Sequence, residues 1–412
     1  MTPSRQAALL QALGVVLTGL AGRAMIDKLL ALRGGAELVA QWAQLTSLAD
    51  VIAGVTLAGI GVGLTGLVAT RSPYDQRRLL GEALRLGLIV SGACMAACAL
   101  LLAYGRLPVL PAAMAWLALP ALLAGWLTVA PGLLSFWLLG RGQAGRAMLL
   151  AGLVLVLPLV ALALAAKGRE LVTLLAAQAA TGLVVTLLIL QRGGAWLAWR
   201  KPQHALRPFV YAGLAIGIFS PLATAVARQQ IGEAASWETA GAVQAIWRSS
   251  EWITAIAAGL MQAHYLPRLA AARKALPFRR ELWATAREVV APALLALGLL
   301  WLLLPQVLAL LYRADLPASR GDALFFLMGD ALRMISWIFL FGLFARGAGR
   351  AVSLGEFFSL PLFAILLWLL PGAMTLPAIG LCWMLAYIAY CAFNGLALAH
   401  ACKTSGESPP QA

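Results

Sequence analysis

The sequence predicts an all-α membrane protein of about twelve transmembrane helices, arranged as two six-helix lobes related by a pseudo-two-fold axis along the membrane normal. Three observations predict it. The 412 residues are 62% hydrophobic and only 11% charged, with a mean hydropathy of +0.87, whereas soluble domains run near half apolar and about a quarter charged. Apolar runs long enough for a bilayer, about 20 residues each, recur between short clusters of charged and turn residues. The two halves of the chain carry similar loops at matching places. A soluble enzyme is excluded, and roughly a dozen spans leave no room for a large extramembrane domain.

The spans run over 8–32, 38–69, 84–104, 111–139, 147–166, 171–190, 209–231, 239–266, 289–311, 321–345, 351–370 and 378–401. The first is too long for a signal-peptide core, and no clear small-residue cleavage site ends it. Pro120, Pro131, Pro158, Pro221 and Pro361 predict kinks, which membrane helices tolerate when neighbours satisfy the freed carbonyls. Frequent Gly and Ala permit close helix packing. The expected domains are an N-terminal lobe at 1–190, a cytoplasmic linker at 191–208, a C-terminal lobe at 209–402 and a short cytoplasmic tail at 403–412. Five cysteines and three histidines show no metal-type spacing, so no metal and no cofactor is expected.

Net charge is +15, from 31 Lys+Arg against 16 Asp+Glu. With the N-terminus cytoplasmic, and Arg85 at the edge of its span counted with the inside segment, twenty basic residues fall in inside segments, six in outside loops and five within spans. This asymmetry predicts a multi-pass protein with both termini inside. It also removes nucleic acid as a partner, because the basic residues are spread loop by loop rather than gathered in a patch.

After span four comes Arg141-Gly142-Gln143-Ala144-Gly145-Arg146-Ala147; after span ten comes Arg346-Gly347-Ala348-Gly349-Arg350-Ala351. Lys28 matches Arg228, Glu37 matches Glu238 and Asp50 matches Glu251 in nearly one frame. Six spans per half is even, so both halves enter from the same side and the repeat is parallel, as in two-lobed transporters.

Charges inside spans are costly and usually line a cavity or pair. At about 1.5 Å per residue, Asp50, Arg248, Glu251, Asp330 and Arg333 fall near the bilayer centre. Arg23 and Asp27 fall in the outer half, Lys28 and Arg228 nearer the outer rim, and Glu356 shallow on the cytoplasmic side. Arg23/Asp27 are spaced i,i+4; Arg248/Glu251 and Asp330/Arg333 are spaced i,i+3, so each pair shares a helix face. One reading makes these structural pairs, with Lys28 and Arg228 snorkelling to headgroups. The other places a hydrated cavity between the lobes. There the arginines would hold a phosphate, and Asp50, Glu251 and Asp330 would carry a coupling ion.

The stretches Lys28-Leu29-Leu30-Ala31, Ser236-Trp237-Glu238, Leu266-Pro267-Arg268-Leu269 and Gly329-Asp330-Ala331-Leu332-Arg333, with Glu356 and Arg228, resemble in order and spacing the Wzx-type polysaccharide flippases. These belong to the multidrug/oligosaccharidyl-lipid/polysaccharide exporter superfamily, and the likeness is to its O-antigen translocase and lipid III flippase branch. The resemblance implies twelve helices in two lobes in the bacterial inner membrane. It implies a substrate of undecaprenyl-pyrophosphate-linked oligosaccharide, an O-antigen unit or the lipid III of enterobacterial common antigen, moved from the cytoplasmic to the periplasmic leaflet. It implies a cationic substrate cavity, to which Arg23, Lys28, Arg228, Arg248 and Arg333 would contribute, with Asp27, Asp50, Glu251, Asp330 and Glu356 in ion coupling or charge pairing. Membrane lipid, a polysaccharide polymerase and a chain-length regulator would be partners. The tail from Lys403 lacks the strongly basic end typical of that branch.

Three rivals share parts of this pattern. A multidrug or small-solute antiporter of the same superfamily would have the same fold. A major-facilitator transporter would need a glycine-framed motif that Thr70-Arg71-Ser72-Pro73-Tyr74-Asp75-Gln76-Arg77-Arg78 imitates only loosely. A membrane enzyme acting on lipid-linked sugars would need a sizeable outside loop or clustered carboxylates at a surface, and the longest outside loop is about ten residues near 312–320. The expectation is therefore a transporter and not an enzyme.

Overall fold

The computed structural model describes residues 3–69, 71–105, 110–191, 206–261, 265–272, 275–313, 316, 318–346, 348–370 and 372–404. The expected linker at 191–208 and the tail fall largely outside these residues. The helices are α1 (Pro3–Thr56), α2 (Val62–Val68), α3 (Pro73–Ala103), α4 (Ala118–Gly140), α5 (Ala144–Leu164), α6 (Glu170–Gln191), α7 (Arg207–Ala234) and α8 (Trp237–Leu260). They continue as α9 (Leu266–Ala271), α10 (Ala275–Thr285), α11 (Ala291–Leu302), α12 (Leu304–Leu311), α13 (Arg320–Ala345), α14 (Gly349–Gly355), α15 (Leu360–Leu369) and α16 (Leu376–Thr404).

Among the described residues, nine helical stretches are long and apolar enough to cross a membrane. The first, Leu17–Val68, contains 52 residues. At about 1.5 Å per residue it would extend near 80 Å, over twice the hydrocarbon core, so it must supply two crossings. The reversal is at Gly34 (φ −138°, ψ 16°) and Gly35 (φ 70°, ψ −162°). The first half runs beside α5, with Gly14 against Met148 and Gly22 against Leu155. The second half runs beside α4, with Ala49 against Gly125 and Thr65 against Gly140. Because α4 and α5 are consecutive and oppositely directed, the two halves of α1 are antiparallel. The more polar α7 and α8 complete twelve crossings.

Local chemistry sets the helix ends. Ser72 accepts a hydrogen bond from the Asp75 N–H (3.3 Å) and is followed by Pro73, which opens α3. Ser236 caps α8 through the Thr239 N–H (3.0 Å). At α13 a reciprocal capping box forms: the Ser319 N–H donates to the Asp322 carboxylate (2.8 Å), and the Asp322 N–H donates to Ser319 Oγ (3.3 Å). Arg33, at the α1 reversal, donates to the last carbonyls of the α5 end, Ala163 and Ala165 (2.7 Å each), beside Glu170 (3.9 Å). A cation there complements the negative end of the helix.

The prolines divide into two groups. Helix continues through Pro131, Pro158 and Pro221. By contrast, the eleventh crossing breaks: α14 passes into a 3₁₀ turn, Glu356–Phe358, and α15 begins after Ser359, with Pro361 in its first turn. Pro120 sits in the first turn of α4, following a 3₁₀ segment, Ala112–Leu117.

The chain forms two compact units, Met1–Gln229 and Gln230–Ala412. In the first, α4 packs against α1, α3 and α6. Apolar burial gives little drive between helices in lipid, so close backbone approach matters. A Cβ on Gly125 would lie 2.4 Å from the Ala49 carbonyl oxygen, and one on Gly182 would lie 2.5 Å from that of Leu127. One core of this unit gathers Leu64, Val68, Leu79, Val129 and Leu133. In the second unit α13 and α16 form the most extensive helix pair, and a core of Leu269, Phe278, Leu343, Val352 and Leu398 lies at one end of it.

Candidate functional site

Five of the ten predicted site residues lie in the first unit. Arg23 and Asp50 are exposed, Lys28 is half-buried, and Asp27 is only 3% exposed. Arg228, on α7, is also 3% exposed. Its Nη1 donates to Gln44 Oε1 (2.9 Å) and Ser47 Oγ (3.2 Å), while Gln44 Nε2 donates to the Ala225 carbonyl (2.9 Å). The guanidinium therefore turns inward onto α1 instead of snorkelling. Gln44 and Ser47 place two polar groups on one face of a helix whose neighbours Leu45 and Leu48 are fully buried.

The other five lie in the second unit, and there the structure builds a continuous charged and aromatic cluster. Arg248 pairs with Glu251 one turn along α8. On α13, Asp330 is fully buried, and Arg333 Nη2 lies 3.1 Å from its carboxylate. The same Nη2 donates to Thr254 Oγ1 of α8 at 2.9 Å, so Arg333 ties the two helices together. Both ion pairs follow the i,i+3 spacing, which puts the partners on one face.

Aromatic rings enclose the Arg333 guanidinium: Trp337 at 5.4 Å, Trp383 at 5.7 Å and Tyr387 at 5.6 Å from its carbon. These are cation–π distances. The rings extend into a network in which Trp247 meets Trp383 (4.9 Å between centroids) and Phe363 (5.6 Å). Trp383 then meets Tyr387 (4.8 Å), and Tyr387 meets Tyr390 (5.9 Å). Tyr390 carries the chain to the fifth residue: its hydroxyl donates to Glu356 Oε1 at 3.0 Å. The Glu356 carbonyl accepts from Ser359 Oγ at 2.6 Å, which satisfies a backbone group freed by the broken turn. Asn394, fully buried one turn below Tyr390, donates to Ser336 Oγ at 2.9 Å.

Sequence reasoning missed the aromatic members and Thr254. A signal existed for some of them. Trp383, Tyr387 and Tyr390 are spaced four and three apart, a single face of α16, and Trp383 lies over Gly329, where a Cβ would be 2.3 Å from its ring.

Elsewhere, Arg268 binds Glu281 (2.5 Å) and Glu288 (3.7 Å), and the Tyr265 hydroxyl donates to Glu288 (2.8 Å). This locks α9 to the segment after it. Two large clefts are present within the units: about 690 Å³ in the first, beside Arg77, Trp137 and Arg141, and about 1270 Å³ in the second, beside Arg279, Arg280 and Arg287. None of the ten predicted residues lines either.

No protein-family model matches the chain, and no curated protein matches it. Solved structures do. An inward-facing multidrug resistance MATE family transporter of the MOP superfamily superposes with a TM-score of 0.67 at 17% identity, covering 97% of this chain and 96% of the other. An outward-facing structure of such a transporter gives 0.59 at 16% identity, with the same coverage. A MOP superfamily transporter from Pyrococcus furiosus, described as having a binding pocket of reversed polarity that suggests a different function, gives 0.64 at 16% identity over 98% of this chain and 95% of that one. The fold is thus that of these transporters, all-helical with two lobes of six membrane helices.

Proposed function

We propose that this chain is an alternating-access transporter that flips an anionic lipid-linked oligosaccharide, undecaprenyl-pyrophosphate bearing an O-antigen unit or lipid III, from the cytoplasmic to the periplasmic leaflet of a bacterial inner membrane. The observation that carries the reading is the Asp330–Arg333 pair: a guanidinium inside a membrane helix, neutralised by one carboxylate and walled by three aromatic rings. Guanidinium binds phosphate bidentately, and Trp and Tyr faces suit the apolar C–H surface of sugar rings. A phosphate reaching Arg333 must compete with Asp330, so the same pair that accepts the head can release it. A proton or another cation taken up by Asp330 would free Arg333, which gives ion coupling a physical route. Arg23, Lys28 and Arg228 add cationic character in the first unit. The fold supports the transport cycle, since relatives of this fold occur in inward- and outward-facing forms. A polymerase and a chain-length regulator would act on the product.

The test is chromosomal replacement by Arg248→Ala and, separately, Arg333→Ala. The expected outcome is accumulation of the lipid-linked oligosaccharide in the cytoplasmic leaflet and a large drop in surface polysaccharide. Normal surface polysaccharide in both strains at native expression would refute the reading. A second reading, export of organic cations, is favoured by the fold shared with a multidrug transporter and by the aromatic rings beside Asp330 and Glu356. It predicts that deletion sensitises cells to cationic drugs while polysaccharide stays normal.

A further inference from the structure

The larger cleft has a composition that the transport reading does not use. It lies between the α10–α11 segment and α13 in the second unit. Its upper end carries Arg279, Arg280 and Arg287, all exposed, with Trp283 between them at 68% exposed. Two acids share this segment, and both face away: Glu281 and Glu288 are taken by Arg268 and Tyr265. Among the described residues no carboxylate pairs with the three arginines, so the rim holds three uncompensated cations.

Below the rim the walls are apolar, with Leu294 on α11 and Ile338 and Phe339 on α13. Arg287 sits in a π turn, Ala286–Val290, between α10 and α11; such turns are uncommon and frequent at functional positions. Distances along the helix fit one leaflet. From Arg287 to Leu294 the rise is about 10 Å and from Arg280 about 21 Å, which brackets the roughly 15 Å depth of half a hydrocarbon core. An indole at the rim is typical of the headgroup level.

We propose that this cleft is a binding site for an anionic phospholipid of the leaflet at that end of the helices. Arg279, Arg280 and Arg287 hold the phosphate, Trp283 packs at the glycerol level, and one acyl chain lies along Leu294, Ile338 and Phe339. Basic pockets between membrane helices select anionic headgroups by this charge complementarity. The site is independent of the transported solute. Because Ile338 and Phe339 line the cleft on the same helix, α13, that carries Asp330 and Arg333, an occupant would brace the helix that carries the central ion pair.

The test uses the full chain in nanodiscs of phosphatidylcholine containing one-fifth phosphatidylglycerol on a molar basis, about 20%, with co-retained lipid counted by native mass spectrometry after release. The wild type is expected to retain phosphatidylglycerol well above its bulk share. Arg279→Gln/Arg280→Gln/Arg287→Gln is expected to lower that enrichment at least about tenfold. Arg71→Gln/Arg146→Gln/Arg350→Gln, which removes the same charge from exposed positions outside the cleft, is expected to keep it. A further variant, Leu294→Gln, retains all three cations but disrupts the tail path, and is expected to weaken enrichment without changing the elution of the folded protein. No preference in the wild type, or equal loss in the two triple variants, overturns the site in favour of general surface attraction. Retention of polyprenyl phosphate added to the same nanodiscs, with no preference for phosphatidylglycerol, overturns it in favour of a substrate-entry groove.

Discussion

At Arg333 three stabilising contacts meet on one side chain: the Asp330 carboxylate, the Thr254 hydroxyl and an aromatic enclosure. Removing one member of a buried ion pair leaves the other uncompensated and costs about 3–5 kcal/mol, whereas removing both is far milder. Asp330→Ala and Arg333→Ala should therefore each lower thermal stability in detergent strongly, and the double variant should lose much less than the sum. Strict additivity in that cycle would show that the pair does not act as a unit. Both partners were legible in the sequence, because a charged pair at i,i+3 stands out against an apolar helix. The aromatic enclosure was not: in a chain that is 62% hydrophobic, Trp383 or Tyr387 contrasts little with its neighbours, and only the tertiary pairing of α13 with α16 gives it meaning. Arg228 was legible as a cation within a span but not as a buried one, since its partners Gln44 and Ser47 lie over 180 positions away on α1 and carried no signal of their own.

Among the elements, crossings followed directly from hydropathy, but hydropathy placed the third span at 84, whereas α3 begins at Pro73 behind the Ser72 cap, because the polar first turns of a helix carry no apolar signal. The joint between the first two crossings was less plain. A loop was expected around 33–37, yet Gly34 and Gly35 alone reverse the chain, and Arg33 closes the neighbouring α5. Glycine also sets how near the helices come. A side chain at Gly125 would drive α4 from α1, since the nearest obstacle is the rigid Ala49 carbonyl rather than a movable side chain. Gly125→Leu should abolish stable, monodisperse protein, while Gly152→Leu on α5, with nothing within 4 Å of its Cβ, should be tolerated. Equal yields and melting temperatures for the two would contradict backbone-limited packing of α1 and α4.

For the whole molecule, an even number of crossings puts both termini on one side of the membrane, and from the basic asymmetry we propose that this side is the cytoplasm. A reporter active only in the periplasm should stay inactive when fused near Gln203 and become active when fused near Arg313; the reverse pattern would invert the protein. The charge of +15 divides by function at this scale. Most basic residues lie outside the spans, three of the five within spans (Arg228, Arg248 and Arg333) meet acids or polar groups inside the units, and three more on the α10–α11 segment rim the larger cleft. Sequence alone could sort the first two sets. It could not distinguish the third from ordinary loop charge, because only folding shows that Glu281 and Glu288 are drawn away.

The broken turn at Glu356–Phe358 has a consequence in time rather than in space. Regular membrane helices bury every amide in an unbroken ladder, so their hydrogens exchange with solvent over very long periods. Here the ladder is interrupted within the eleventh crossing and patched by Ser359 and by the Tyr390–Glu356 hydrogen bond. Amide deuteration should therefore begin at Phe357–Ser359 well before it reaches α15 or α16, and Tyr390→Phe should quicken it there while leaving α13 unchanged. Uniform protection across 349–369 would mean that the break is sealed.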